Sequence, residues 1–276
     1  MAYYQPTELG SALTILRSSA PQIVAGGTDV YPAMKPGCQP ACYLDVTRIQ
    51  GFSDILVTDT DTRFGAAVTW PDVLRADLPH AFDALKLAAR EVGSPQIQNA
   101  GTIAGNICNA SPAADGVPPL LALNAKVALM SAARGICVLP IAKFINGVRQ
   151  TVLADDALVT AIIIPKTPRS MVSGFEKLES RRYFVISIVM TAANILLDET
   201  GRIAEARIAV GSCSAVAQRL PALEVDLVGK DPSRITITAD HLEPLKPIDD
   251  VRGTGTYRLE TAAQQIERAI RGVSAS

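Results

Sequence analysis

Val24-Ala25-Gly26-Gly27-Thr28-Asp29-Val30 and Thr102-Ile103-Ala104-Gly105-Asn106 are two short runs of small residues in a chain of 276. Each presents successive backbone N–H groups with little or no side chain in front of them, which is what a phosphate or diphosphate requires. Two such turns in one chain suggest one anion held from two sides. Neither fits the dinucleotide fingerprint G-x-G-x-x-G or the phosphate loop G-x-x-x-x-G-K-S/T, so a nucleotide site here has another architecture.

Outward from the first turn, the chain reads helix, strand, turn, helix, strand. Leu9, Ala12, Leu13 and Leu16 recur at helical spacing over 7–18, and 22–25 is short and extended. Thr28 and Asp29 can cap a short helix through Met34, with Pro32 tolerable in its first turn. Pro36-Gly37 ends it and 41–46 reads as the next strand, a small βαβ-like unit. From Ile55 the texture becomes strand, turn and strand (55–57, 63–68), then 70–75, then a helix over 81–92 with Phe82, Leu85, Ala88, Ala89 and Val92 on one face. The polar connector Gly93-Ser94-Pro95-Gln96-Ile97-Gln98-Asn99 delivers the second turn. Strands follow at 126–130, 135–139 and 157–164, the last stopped by Pro165.

Pro165-Lys166-Thr167-Pro168 marks the domain boundary, which divides the chain into 1–167, with subdomains 1–54 and 55–167, and 168–276. Beyond it, strands at 183–197 and 203–210 flank the hairpin turn Asp198-Glu199-Thr200-Gly201, and helices are expected at 220–228 and 256–269.

Composition removes several function classes. The 26 basic and 27 acidic residues leave a formal net charge of −1, so nothing biases the chain toward nucleic acid or an anionic membrane. Cys38, Cys42, Cys108, Cys137 and Cys213 form an odd, scattered set, and the N-terminus lacks the pattern of a secretory signal; both read as a reduced, cytoplasmic protein. The apolar run 185–197 is too short for a bilayer span and reads as a buried strand. Cys38 and Cys42 have no metal-ligand spacing, and neither His80 nor His241 lies in a nucleophile motif. No metal site and no catalytic acid or base is expected on this chain.

Thr102 through Ile107-Cys108-Asn109-Ala110-Ser111-Pro112-Ala113-Ala114-Asp115, preceded by the connector 93–99, resembles the flavin segment of the medium subunit of molybdenum hydroxylases. That is the family of xanthine dehydrogenase, carbon monoxide dehydrogenase and aldehyde oxidoreductase. The first turn matches its other signature, A-G-G-T-D, and 41–49 resembles the strand and turn after it. Pro247-Ile248-Asp249-Asp250-Val251-Arg252-Gly253 with Tyr257-Arg258 looks like the motif that closes the family's C-terminal domain. The resemblance covers nearly the whole chain and looks nearest to the bacterial xanthine dehydrogenase type.

The resemblance implies an α+β fold: a two-subdomain FAD-binding domain of the vanillyl-alcohol-oxidase/PCMH-like kind, then an α+β C-terminal domain near the flavin ring. It also implies FAD with both turns at its diphosphate. Electrons would come from a molybdenum cofactor on a large partner, through two [2Fe-2S] clusters on a small partner, in a dimer of heterotrimers, and leave to NAD or another acceptor. Lys177 and Val159 match family positions near the ring, and Val92 a further one. Lys177 also reads as a solvated strand lysine, Val159 as an ordinary core residue, and Asp115 either as a ligand acceptor or as a helix cap. The chain departs from the family at Ala104, which replaces the first glycine of T-I-G-G-N. It departs again at Tyr183-Phe184-Val185, where relatives carry an acidic segment; Tyr183 reads as core rather than as a flavin-stacking ring. The rival readings are a self-sufficient FAD-dependent oxidoreductase of the same fold and a flavin-free structural subunit.

Overall fold

The computed structural model describes residues 1–180 and 186–274. Strands β1 (Ala2–Tyr4), β2 (Gln22–Val24) and β3 (Cys42–Asp45) form a parallel sheet in the order β1-β3-β2. Parallel neighbours need a crossover. Helix α1 (Leu9–Ser19) supplies the first, burying Ala12, Leu13 and Leu16, and it ends at Ala20 in the left-handed region (φ 42°). The second is the glycine stretch with the short α2 (Val30–Ala33). Asp29 is its N-cap residue, but its side chain makes no capping bond. The βαβ-like expectation therefore holds, and Asp29 is left available to other partners.

The second unit is an antiparallel sheet of β4 (Ile55–Val57), β5 (Asp61–Gly65), β6 (Lys126–Ser131), β7 (Gly135–Pro140) and β10 (Ala157–Pro165), in the order β4-β5-β10-β6-β7. β5 stops at Gly65 rather than continuing to 68. The chain turns there, Val68 N–H donating to the Gly65 carbonyl, and a Cβ on Gly65 would lie 2.3 Å from the Phe52 carbonyl oxygen. Between β5 and β6 run α3 (Trp70–Arg75), α4 (Asp83–Glu91), α5 (Pro95–Ala100), α6 (Ile103–Asn109) and α7 (Val117–Ala122). α4 is shorter than the predicted 81–92 because His80–Phe82 form a 3-10 turn before it. The expected connector 93–99 is largely helix: Ser94 Oγ accepts from Ile97 N–H at the cap of α5, and Pro95 occupies the first turn. Its single large apolar side chain, Ile97, gave no period to read. After β7, α8 (Ile141–Phe144) leads into the small hairpin β8 (Ile145–Gly147) and β9 (Gln150–Thr151).

The third sheet, β11 (Val172–Leu178), β12 (Val189–Leu197), β13 (Ile203–Gly211) and β14 (Gln218–Arg219), is antiparallel in sequence order. Its β12–β13 turn forms as predicted: Asp198 Oδ1 accepts from the N–H groups of Thr200 and Arg202, and Gly201 takes φ 79°. β12 begins at Val189, later than the predicted strand from 183; positions 183–185, and with them the reading of Tyr183, lie outside the described residues. α9 (Pro221–Leu227) and α10 (Gly255–Ser274) pack on this sheet, around a core that includes Ile208, Leu223, Ile266 and Ile270. The closing motif is an ionic lock. Arg258, buried, donates to the carbonyls of Ile188 (2.6 Å) and Ser212 (3.1 Å) and to Asp250 Oδ1 (2.7 Å).

The third sheet is sewn to the second unit by polar contacts. Asn194 Nδ2 donates to the Ala81 carbonyl, and Ser173 Oγ donates to the His80 carbonyl while accepting from Ala84 N–H. The Ser173 hydroxyl and the Asn194 amide N–H are thereby paired across the seam.

Candidate cofactor site

The two glycine stretches face each other across one cleft of about 400 Å³, within the ~300–1,000 Å³ common for small-molecule sites. Ala25, Gly26, Gly27, Thr28, Asp29 and Val30 line one side. Thr102, Ala104, Gly105 and Asn106 line the other, with Val92 and Val159 at the wall. Val24 and Ile103 are buried behind them, anchoring the stretches in the core.

The glycines act differently from the open-backbone reading. A Cβ on Gly26 would sit 1.7 Å from the carbonyl oxygen of Ala100, so this glycine lets the first stretch lie directly against the end of α5. Gly27 has φ 69°, where an L side chain is strained, and a Cβ there would strike the Tyr31 ring. The glycines thus set the spacing of the two stretches as well as keeping the backbone bare.

The second stretch is not a turn but the start of α6. Thr102 caps it, Oγ1 accepting from Gly105 N–H at 2.9 Å, and Ile103 N–H donates to the Val68 carbonyl at 3.0 Å. Ala104 N–H, in the first helical turn, and the N–H groups of Gly26, Gly27 and Thr28 donate to no acceptor among the described residues. First-turn donors and bare turn amides are the groups that hold anions. The Ala104 methyl is buried and fits the wall without closing it.

Val159 reaches the cleft because β10 is irregular: its pairing with β6 shifts register between Val159 and Ala161. Such bulges re-aim side chains at sites. Trp70 and Ile97 complete the apolar lining together with Leu158. These residues carried no distinguishing signal in the sequence, since an apolar wall residue and a core residue look alike. Cys108 also borders the cleft, but burial pushes its thiol up to about 12, so it is an inert packing group near neutral pH.

Asn106 Oδ1 is buried and has no hydrogen-bond partner. It is closed off from the cleft and faces Gly116, where a Cβ would lie 3.0 Å from it, so it belongs to the packing behind the wall. The amides left free on both sides of the cleft fit the diphosphate of a nucleotide cofactor.

Asp115 and Lys177 do not line the cleft; they meet each other just behind it. Lys177 Nζ lies 3.1 Å from Asp115 Oδ2, 2.6 Å from Glu179 Oε1 and 3.0 Å from the Glu91 carbonyl oxygen. Ser187 Oγ donates to Asp115 Oδ1 at 2.9 Å. Burial raises the Asp115 carboxyl above its ordinary range, against the pull of Lys177. The lysine is therefore not a solvated strand residue, and the cap residue of α7 is Gly116, not Asp115. Gly116 links this knot to the cleft, since a Cβ there would touch Trp70 and Asn106 Oδ1.

Residues 1–167 match the family described as the FAD binding domain in molybdopterin dehydrogenase, and residues 175–273 match the CO dehydrogenase flavoprotein C-terminal domain. The chain belongs to this family: it is an FAD-binding flavoprotein subunit of the molybdenum hydroxylase class, an oxidoreductase component. Among relatives, it is 27% identical to the nicotine 6-hydroxylase medium subunit of Paenarthrobacter nicotinovorans, covering 97% of this chain and 95% of the relative. It is 31% identical to the xanthine dehydrogenase FAD-binding subunit of Escherichia coli O157:H7, over 76% and 73%. The structure superimposes on a chain of the carbon monoxide dehydrogenase from Hydrogenophaga pseudoflava that lacks the Mo-pyranopterin moiety, with TM-score 0.88 and 25% identity over 100% and 97%. The relatives span several substrates, so the likeness to the xanthine type has no special weight. Among the described residues no helix is long and apolar enough to cross a membrane, and no cluster of His, Cys, Asp and Glu could hold a metal ion.

Proposed function

We propose that this chain is the electron-exit subunit of a cytoplasmic molybdenum hydroxylase, with substrate oxidation on a different polypeptide. A large molybdenum-cofactor subunit and a small subunit with two [2Fe-2S] clusters are its partners, in a dimer of heterotrimers, and NAD or another acceptor takes the electrons. The domains are 1–167, with subdomains 1–54 and 55–167, and 168–276. FAD, when bound, supplies a centre that accepts electrons and passes them on.

In this reading Gly26, Gly27, Thr28 and Ala104 direct their N–H groups at the diphosphate, with Thr102 and Gly105 fixing the helix start. Ala25, Asp29 and Val30 shape the rim, and Val24 and Ile103 hold the two stretches from behind. Asn106 forms part of the cleft wall beside the diphosphate, and Val159 packs beside the ring. Asp115 and Lys177 set the charge at the ring end of the cleft. The observation that carries the reading is the pair of stretches facing one cleft with unpaired amides on both sides.

The test is the subunit and cofactor content of the native complex. The expected result is FAD on this chain, with an iron–sulfur and a molybdenum subunit alongside. A native assembly without FAD or without an iron–sulfur partner overturns the proposal. Turnover of an organic substrate by the isolated chain would instead favour a self-sufficient flavoenzyme, and a colourless folded preparation a structural subunit.

A further inference from the structure

Arg149 lies outside the cleft lining and takes no part in the readings above. It sits in the two-residue connection between β8 and β9 with φ 56°, a left-handed conformation unusual for a side-chain-bearing residue. Glycine would relieve that strain, yet an arginine occupies the position, held by its own N–H donating to the Ala110 carbonyl at 2.8 Å. Ala110 follows α6 and is itself left-handed (φ 47°). The hairpin tip is thereby fixed to the C-terminal end of the helix whose first turn borders the cleft.

The side chain extends this connection to the opposite rim. Arg149 Nη1 donates to Asn109 Oδ1, Asn109 Nδ2 donates to Asp29 Oδ1 at 2.7 Å, and Arg149 Nη1 stands 3.8 Å from the same carboxylate oxygen. Asp29 closes the first glycine stretch and Asn109 closes α6; both line the cleft. Asp29 is also a negative charge at the mouth of a site suited to an anion. A guanidinium beside it offsets that charge while joining the two rims.

We propose that Arg149 is a positioning residue that latches the two rims through Asn109 and Asp29 and thereby sets how long FAD is retained. The proposal rests on the reading of the cleft as the FAD site. Arg149 and Asp29 are each about half exposed, so the latch is worth a modest factor rather than the whole affinity.

The test follows FAD release by flavin fluorescence from the complex as isolated. Arg149→Ala should release FAD about two- to fivefold faster, and Arg149→Lys should recover only part of the difference, because an ammonium cannot reproduce the guanidinium fork. Arg149→Gly separates strain from side chain: release should be as fast as in Arg149→Ala even though the turn is relaxed. Asn109→Ala should add little in the Arg149→Ala background, and added salt should speed release from the parent more than from Arg149→Ala. Parent-like release from both Arg149→Ala and Asn109→Ala, with FAD still bound, overturns the latch. A parent protein that binds no FAD overturns the cleft reading instead.

Discussion

The open cleft between the glycine stretches and the buried knot around Lys177 stand side by side, yet they solve opposite problems. The cleft leaves donors unpaired: the amides of Gly26, Gly27, Thr28 and Ala104. The knot leaves nothing unpaired on its cation, because Lys177 has three acceptors for its three N–H bonds. Free donors bordering an open cleft mark where an anion belongs. A closed ion cluster instead sets the field at that place and binds the C-terminal sheet to the body that carries the cleft.

Removing the cation should have the largest effect. Lys177→Met removes the cation from the buried Asp115 carboxylate, and stability should fall by about 3–5 kcal/mol, read by urea denaturation. An unchanged midpoint would mean that the knot is solvated and that the contrast with the cleft is false.

Gly26→Val attacks the other side of the comparison. Its Cβ would have to displace the Ala100 carbonyl, and overpacking of this kind costs about 1–3 kcal/mol. Flavin affinity should drop by roughly tenfold or more, while the core around Ile208 and Ile266 still melts cooperatively. Full flavin content in this variant would show that the close approach of the two stretches is not needed for binding.

Thr102→Ala removes the cap of α6 and should lower stability by about 1 kcal/mol. FAD binding should weaken with it, since the same cap fixes the Ala104 amide. Loss of stability with unaltered FAD affinity would separate the cap from the site.

The smallest effect is a pH dependence. The Asp115 carboxyl is raised in the folded protein above its ordinary value of 3.8 by burial. The folded state therefore holds this proton more tightly than the unfolded chain, and the contribution to stability falls as pH rises from about 3.8 through the raised value. Asp115→Asn should flatten that slope in denaturation curves taken across the acid range; an identical slope would mean that Asp115 titrates as it does when unfolded.

Much of this was legible in the sequence because it depends on local chemistry. The first glycine stretch and the Asp198–Gly201 turn rest on residues whose backbone preferences act alone. The helices at α5 and α6 were hidden for the same reason in reverse. Residues 95–100 have no apolar period, and Thr102-Ile103-Ala104-Gly105-Asn106 contains a glycine that suggests a turn, although a threonine cap and a bond to Val68 make it a helix start. Lys177 could be read as solvated because nothing near it in sequence reveals that Asp115, 62 positions away, supplies a partner.

Sequence alone carried the two small-residue stretches, the strands and helix around the first of them, and the family to which the chain belongs. Those follow from residue type and order along the backbone. Only the tertiary structure decided that Gly26 is needed against Ala100, that Val159 is turned inward by a bulge, and that Arg149 joins Asn109 to Asp29. These are contacts between distant segments, whose energy depends on distance in space, and a linear pattern carries no record of that distance.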